Sequence, residues 1–144
     1  RQLHTGDFRR TYLAVCDGVP PAPSGTVDAP IGRAGDAPSR REVRPDGQPA
    51  RTHYRILRPL GPRTLLELTL DTGRTHQIRV HMAHLGCPLT GDFLYGTENR
   101  ALIARPALHS ARLELAHPVT GERLVCSVPL PDDMAVLIPK EDIP

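Results

Sequence analysis

The chain has 144 residues, 39% of them hydrophobic and 24% charged, with a formal net charge of +2; this suits one packed domain and excludes a disordered or fibrous composition. Its three cysteines, Cys16, Cys87 and Cys126, are odd in number and form no C-x-x-C pair, which argues against a secreted disulfide framework and for a reducing cytoplasm. No apolar run approaches the roughly 18 residues that suggest a membrane span and no charged-then-apolar leader opens the chain, so a soluble protein is expected.

With sixteen prolines, two Phe, three Tyr and no Trp, the core should be small-aliphatic and the loops many. Residues 11–15 are rich in β-formers and stop at Asp17-Gly18, which predicts a strand and a turn. From 19 to 49 the pattern collapses. Pro20, Pro21, Pro23, Pro30, Pro38, Pro45 and Pro49 exclude long helices and central strands, because proline lacks the amide donor and fixes φ. A long Pro-rich loop is predicted there, with room for short edge strands. Residues 51–58 then alternate, with Thr52, Tyr54 and Ile56 on one face. Residues 64–70 alternate more clearly, setting Leu66, Leu68 and Leu70 against Leu65, Glu67 and Thr69, and Gly61-Pro62 joins the two runs as a hairpin.

After Asp71-Thr72-Gly73 the spacing becomes helical, with Ile78, Met82 and Leu85 in one apolar stripe. Thr75 is the expected N-cap and Gly86 the expected stop, a helix of about three turns. Two more strands are predicted at 111–116 and 123–128 around the turn His117-Pro118-Val119-Thr120-Gly121, and a short closing helix at 132–138. No repeat of the solenoid kind is present. The fold class expected is α+β, a mainly antiparallel mixed sheet with a few flanking helices.

The stretch from Gly73 to His81 carries the densest chemistry. Arg74, His76 and Arg79 crowd a helix start whose free amides and positive dipole favour anions. His76, Arg79 and Ala83 share one helix face, and the Arg79 guanidinium suits bidentate pairing with a carboxylate or phosphate. The plain alternative is a solvated polar face beside a core stripe. Another is zinc held by His76, His81, His84 and Cys87; His81 and His84 have workable spacing, but no second element completes a ligand set.

Arg74-Thr75-His76-Gln77-Ile78-Arg79-Val80-His81, Leu85-Gly86-Cys87-Pro88-Leu89 and Gly91-Asp92-Phe93-Leu94-Tyr95-Gly96 resemble, in order and spacing, the R-T-H-Q-I-R-V-H, L-G-H-P-I and G-D-x-x-Y-G series of the RluA-type RNA pseudouridine synthases. Arg10 to Val15 resembles that family's K-x-Y-x-A-x-V strand. Pro30-Ile31 and Ala50 to Leu57 resemble its P-I and A-x-T-x-Y-x-V-L elements, and Leu108-His109-Ser110-Ala111 with residues 117–121 its L-H-A and H-P-x-T-G pair. The resemblance covers nearly the whole chain. It implies that residues 1–144 form a single, partial catalytic domain and that the complete protein isomerises uridine to pseudouridine in ribosomal or transfer RNA, without metal or organic cofactor.

Carried over by position, the resemblance makes Tyr12 the active-site tyrosine, which stacks near the target base and is implicated in removing its C5 proton. Arg79 becomes the basic partner of the catalytic aspartate. Arg74, Thr75 and His76 are expected to contact RNA, while Tyr54 is better read as a sheet-packing aromatic. Cys87 stands where the family usually has histidine. The family's nucleophilic aspartate lies in an H-R-L-D-x-x-T-S-G element upstream of the tyrosine, and nothing before Tyr12 resembles it. The 144 residues alone are therefore expected to be inactive. The rival reading is a catalytically dead RNA-binding module, and a structural or metal-binding domain ranks behind both.

Overall fold

In the computed structural model, which describes residues 8–35 and 37–144, the leucine alternation of the second hairpin strand sets the two faces of a sheet. The elements run β1 (Phe8–Asp17), β2 (Ser24–Asp28), β3 (Ile31–Ala34), β4 (Ala37–Val43), β5 (Arg51–Leu60), β6 (Arg63–Leu70), α1 (Gln77–His84), β7 (Leu108–Ala116), β8 (Arg123–Ser127) and α2 (Asp132–Ala135). Six strands form one sheet in the order β2-β5-β6-β1-β7-β8, and β3 with β4 forms a separate two-stranded ribbon. The α+β class stands as expected. Every ladder among the described residues is antiparallel, so these pairings contain no mixed portion.

Successive side chains of a strand point to opposite faces, and the core divides accordingly. Ala14 and Cys16 of β1 and Leu66 and Leu68 of β6 pack with Tyr54, Ile78, Met82 and Leu89 on the α1 side. Their neighbours Val15 and Leu65 turn the other way, against Ile103, Ala107, Met134 and Ile138. The sheet is thus covered on one face by α1 and on the other by the C-terminal segment. Tyr54 is buried as expected of a packing aromatic.

The Pro-rich segment is more ordered than the loop expected for 19–49. β2 contains no proline and pairs with β5 at the sheet edge, from Ser24↔Arg55 to Asp28↔Arg51. β3 and β4 lie beyond Pro30, and the one proline in β4, at 38, falls outside the paired positions. β2 and β4 are each paired along one side only, and β3 gains a single further bridge, Ile31 to Gln48; such edge positions are where a β-structure tolerates proline.

Helix α1 departs from expectation at its start and in its length. It has eight residues, about two turns, and its N-cap is His76 in the left-handed region (φ 57°), not Thr75. Gln77 fixes the turn that precedes the helix: its Oε1 accepts the Arg74 amide at 3.0 Å and the Thr72 hydroxyl at 2.7 Å, and no side chain caps the first-turn amides. The far end is as expected: Gly86 adopts φ 86°, its amide donates to the Ala83 carbonyl and the Cys87 amide to that of Met82, the paired bonds of a Schellman stop. At the C-terminus the helix expected over 132–138 is limited to the four residues of α2.

Candidate functional site

A cleft of about 580 Å³ opens between β1, the 73–74 turn and the start of α1, lined by Phe8, Arg10, Tyr12, Leu70, Gly73, Arg74, His76, Gln77, Ile78, Arg79 and Leu108. Four of the five site residues named from sequence, Tyr12, Arg74, His76 and Arg79, meet there. Thr75 does not. It faces a neighbouring cleft of about 390 Å³ with Arg33, Arg41 and Gln48, across the wall formed by Gly73 and Arg74.

Tyr12 reaches the cleft from a break in the β1–β7 ladder. Thr11 pairs with Arg112 and Tyr12 with Ser110, so Ala111 is left over as a bulge, a device that bends a strand and re-aims the adjoining side chain. The Arg10 guanidinium lies 3.5 Å from the Tyr12 hydroxyl. Arg74 is tethered at one nitrogen, Nε donating to the Pro49 carbonyl at 2.8 Å.

Arg79 has a partner within the described chain. Its Nε and Nη2 donate to the two carboxylate oxygens of Asp92 at 3.0 and 2.9 Å, and its guanidinium stands over the rings of Tyr95 and Phe93, 5.1 and 5.5 Å from their centroids. Asp92 is fully buried and also accepts the amides of Leu94 and Tyr95 at 3.1 and 3.0 Å. Burial pushes the Asp92 carboxyl up, but these hydrogen bonds and the charge of Arg79 outweigh it and hold the group below the usual carboxylate range. Gly91 lets the loop that carries Asp92 pack closely against residues 103–105. Its φ is 80°, and a Cβ there would sit 2.6 Å from the Arg105 carbonyl oxygen.

His76 occupies a conformation that costs a non-glycine residue about 1–3 kcal/mol unless its surroundings impose it. Its Nδ1 is 2.7 Å from the Tyr95 hydroxyl. Burial, then the charges of Arg79 and Arg41, lower its pKa, with Asp92 opposing.

Behind the cleft, α1 is fastened to β5 through polar groups. The Gln77 amide group donates to the Arg51 carbonyl at 2.9 Å and to the Thr52 hydroxyl oxygen at 3.0 Å. Thr52 Oγ1 lies 2.7 Å from His81 Nδ1, and His81 Nε2 lies 2.9 Å from the Ala29 carbonyl oxygen. One proton assignment satisfies every member: Thr52 donates to Nδ1 and neutral His81 donates from Nε2. Burial keeps that ring's pKa low. With both nitrogens engaged His81 has none for a metal, and among the described residues no three His, Cys, Asp or Glu side chains converge on one.

Neither Asp92 nor Tyr95 was given a role from the sequence. Their only advance sign was the G-D-x-x-Y-G element itself, since contacts across 13 and 19 residues leave no local periodicity. Among the described residues no carboxylate lines the cleft.

A basic, aromatic cleft beside an antiparallel sheet suits a protein that handles single nucleotides of RNA. The sequence profile of the RNA pseudouridylate synthases matches residues 1–84, and the chain belongs to that family. It is 46% identical over 136 residues to the RNA pseudouridine synthase YhcT of Bacillus subtilis, covering 93% of this chain and 45% of that protein. It is also 46% identical over 146 residues to the ribosomal large subunit pseudouridine synthase D of Nitrosomonas europaea, covering 96% and 42%. The solved structure of human RNA pseudouridylate synthase domain containing 1 superposes with a TM-score of 0.73 at 27% identity, over 85% of this chain and 55% of that one. The chain thus spans about half the length of the relatives it matches. No helix among the described residues is long and apolar enough to cross a membrane.

Proposed function

We propose that the complete protein isomerises uridine to pseudouridine in RNA, and that residues 1–144 supply one part of its catalytic domain, with ribosomal RNA the first substrate to test and the cytoplasm its setting. The observation that carries this reading is the convergence of Tyr12, Arg74, His76 and Arg79 on one cleft in a chain of this family. Tyr12 offers a flat ring for a uracil taken out of its stack. Arg74 and His76 line the same cleft and Thr75 the adjacent one, so the path between them suits the phosphates on either side of the target.

Arg79 would serve the attacking aspartate through Nη1. Nε and Nη2 are taken by Asp92, and no acceptor meets Nη1 among the described residues. The attacking carboxylate would come from outside the described residues, since none of their carboxylates lines the cleft and Asp92, which holds Arg79, is buried and fully engaged. An aspartate arriving beside Arg79 would stay ionised as nucleophile.

The test compares the complete protein with the 144 residues alone on uridine-containing ribosomal RNA, reading pseudouridine by mass spectrometry after uridine-specific labelling. Turnover by the complete protein and none by the shorter chain is expected. Turnover by the shorter chain overturns the assignment of the nucleophile. Absence of turnover in both, with RNA still bound, favours the second reading, a catalytically dead RNA-binding module.

A further inference from the structure

We infer that Tyr95 is a positioning residue for the cleft: it holds His76 as a neutral ring protonated on Nε2, so that this N–H is offered to an acceptor oxygen of the bound RNA. Tyr95 does not line the cleft; it acts from behind, through the side chains that do.

The Tyr95 hydroxyl oxygen accepts the Arg41 backbone amide at 2.9 Å and lies 2.7 Å from His76 Nδ1. A phenol has one hydrogen to donate. Among the described residues, His76 Nδ1 is the one acceptor that hydrogen meets, so the hydroxyl donates and Nδ1 receives. A neutral imidazole whose Nδ1 receives carries its proton on Nε2. That nitrogen meets no protein acceptor among the described residues, and the ring lines the cleft.

The charges around the ring favour the same state. Arg79 on α1 and Arg41 on β4 disfavour an imidazolium, and Asp92, the carboxylate among the described residues that opposes them, is already held by Arg79. Arg40 and Arg79 also stand over the Tyr95 ring, 5.3 and 5.1 Å from its centroid, which fixes the phenol between β4 and α1. The left-handed backbone of His76 brings the imidazole against Tyr95 in an edge-to-face contact with the ring centroids 5.5 Å apart. The ligand in the cleft therefore meets a neutral donor at His76 beside the permanent charge of Arg79. A donor of this kind selects acceptor oxygens, such as a uracil carbonyl or a phosphate oxygen.

The RNA part of the inference rests on the function proposed above, whereas the tautomer is read without RNA. Long-range ¹H–¹⁵N spectra of the complete protein labelled in histidine, with His76→Gln to identify the signals, should show Nδ1 unprotonated and Nε2 protonated from pH 8 down to 6.5. Tyr95→Phe keeps the ring and its two guanidinium neighbours but removes the donor. In that variant the two nitrogen signals should converge and the protonation midpoint should rise. Affinity for a short uridine-containing single strand should fall about 2- to 10-fold at pH 8, the equivalent of one hydrogen bond, with part of the loss recovered toward pH 6 as the freed ring becomes charged. A proton on Nδ1 in the unsubstituted protein overturns the inference, as does an unchanged nitrogen pattern in Tyr95→Phe. If neither protein binds the strand, the RNA reading falls and the spectra still decide the tautomer.

Discussion

Two arginine–aspartate pairs in this protein share a geometry and differ in surroundings. Arg79 holds Asp92 through Nε and Nη2 at 3.0 and 2.9 Å, and Arg105 holds Asp133 through the same two nitrogens at 2.8 Å each. The side chains of the first pair are 14% and 0% exposed, those of the second 39% and 44%. Water can solvate Asp133 if Arg105 leaves; it cannot reach Asp92 in the same way. The cleft side of the molecule therefore depends on its polar contacts, while the α2 side depends on Met134, Ile138 and their apolar neighbours.

The sharpest way to break the contrast is Arg79→Ala, which leaves a buried carboxylate uncompensated and should cost about 3–5 kcal/mol in urea unfolding. Loss of activity in that variant would not by itself mark Arg79 as catalytic, because the fold is weakened too. Arg79→Lys keeps the charge without the two-pronged grip and should fall between, so a rate loss that persists where stability is largely kept would separate the two roles.

A smaller loss is expected from Thr52→Val. It leaves the His81 Nδ1 lone pair and one Gln77 N–H unpaired in the interior and should cost about 1–3 kcal/mol by thermal or urea unfolding. Arg74, whose amide also depends on Gln77, should then show faster amide hydrogen exchange.

Acid should expose the same dependence. The folded pKa values of His76 and His81 lie below the ordinary 6.5, so the unfolded chain takes up these protons first. Stability should fall as pH drops below 6.5, until the folded-state pKa values are passed. Asp92 adds a second loss at lower pH. Its folded pKa lies below the ordinary 3.8, so its contribution is complete above 3.8 and disappears as pH falls through the folded value. Urea midpoints from pH 8 to 4.5 test the histidine part, and His81→Gln should flatten it.

The smallest effect belongs to the exposed pair: Asp133→Ala, which leaves the Arg105 bonds to the Pro106 and Leu108 carbonyls in place, should cost about 0.2–1 kcal/mol, with most of that removed by salt. A loss as large as that of Arg79→Ala would show that burial is not what separates the two pairs.

Much of the sheet could be read from residue order. Period-2 alternation at 51–58 and 64–70 marked β5 and β6, and β-formers at 11–15, 111–116 and 123–128 marked β1, β7 and β8, with ends moved by one to three residues. The helix was visible in Ile78, Met82 and Leu85, but its start was not, because the turn before it is tied by Gln77 to Thr72 and Arg74 and the helix begins after His76 without a side-chain cap. In the Pro-rich segment the prolines correctly excluded central strands, yet β2, β3 and β4 formed between and around them, since an edge needs hydrogen bonds on one side only.

The sequence by itself determined the family, the α+β class and the stretch from Arg74 to His81 as the chemically dense part of the chain, because each is written in residue type and local spacing. Only the tertiary structure decided what those side chains touch. Arg79 met Asp92 and His76 met Tyr95 across loops; His81 met Thr52 from a different element altogether, and Tyr95 met the Arg41 amide 54 positions away. Side-chain partners are chosen where packing brings elements together and where a buried polar group must find a hydrogen bond, and neither condition leaves a period in the sequence.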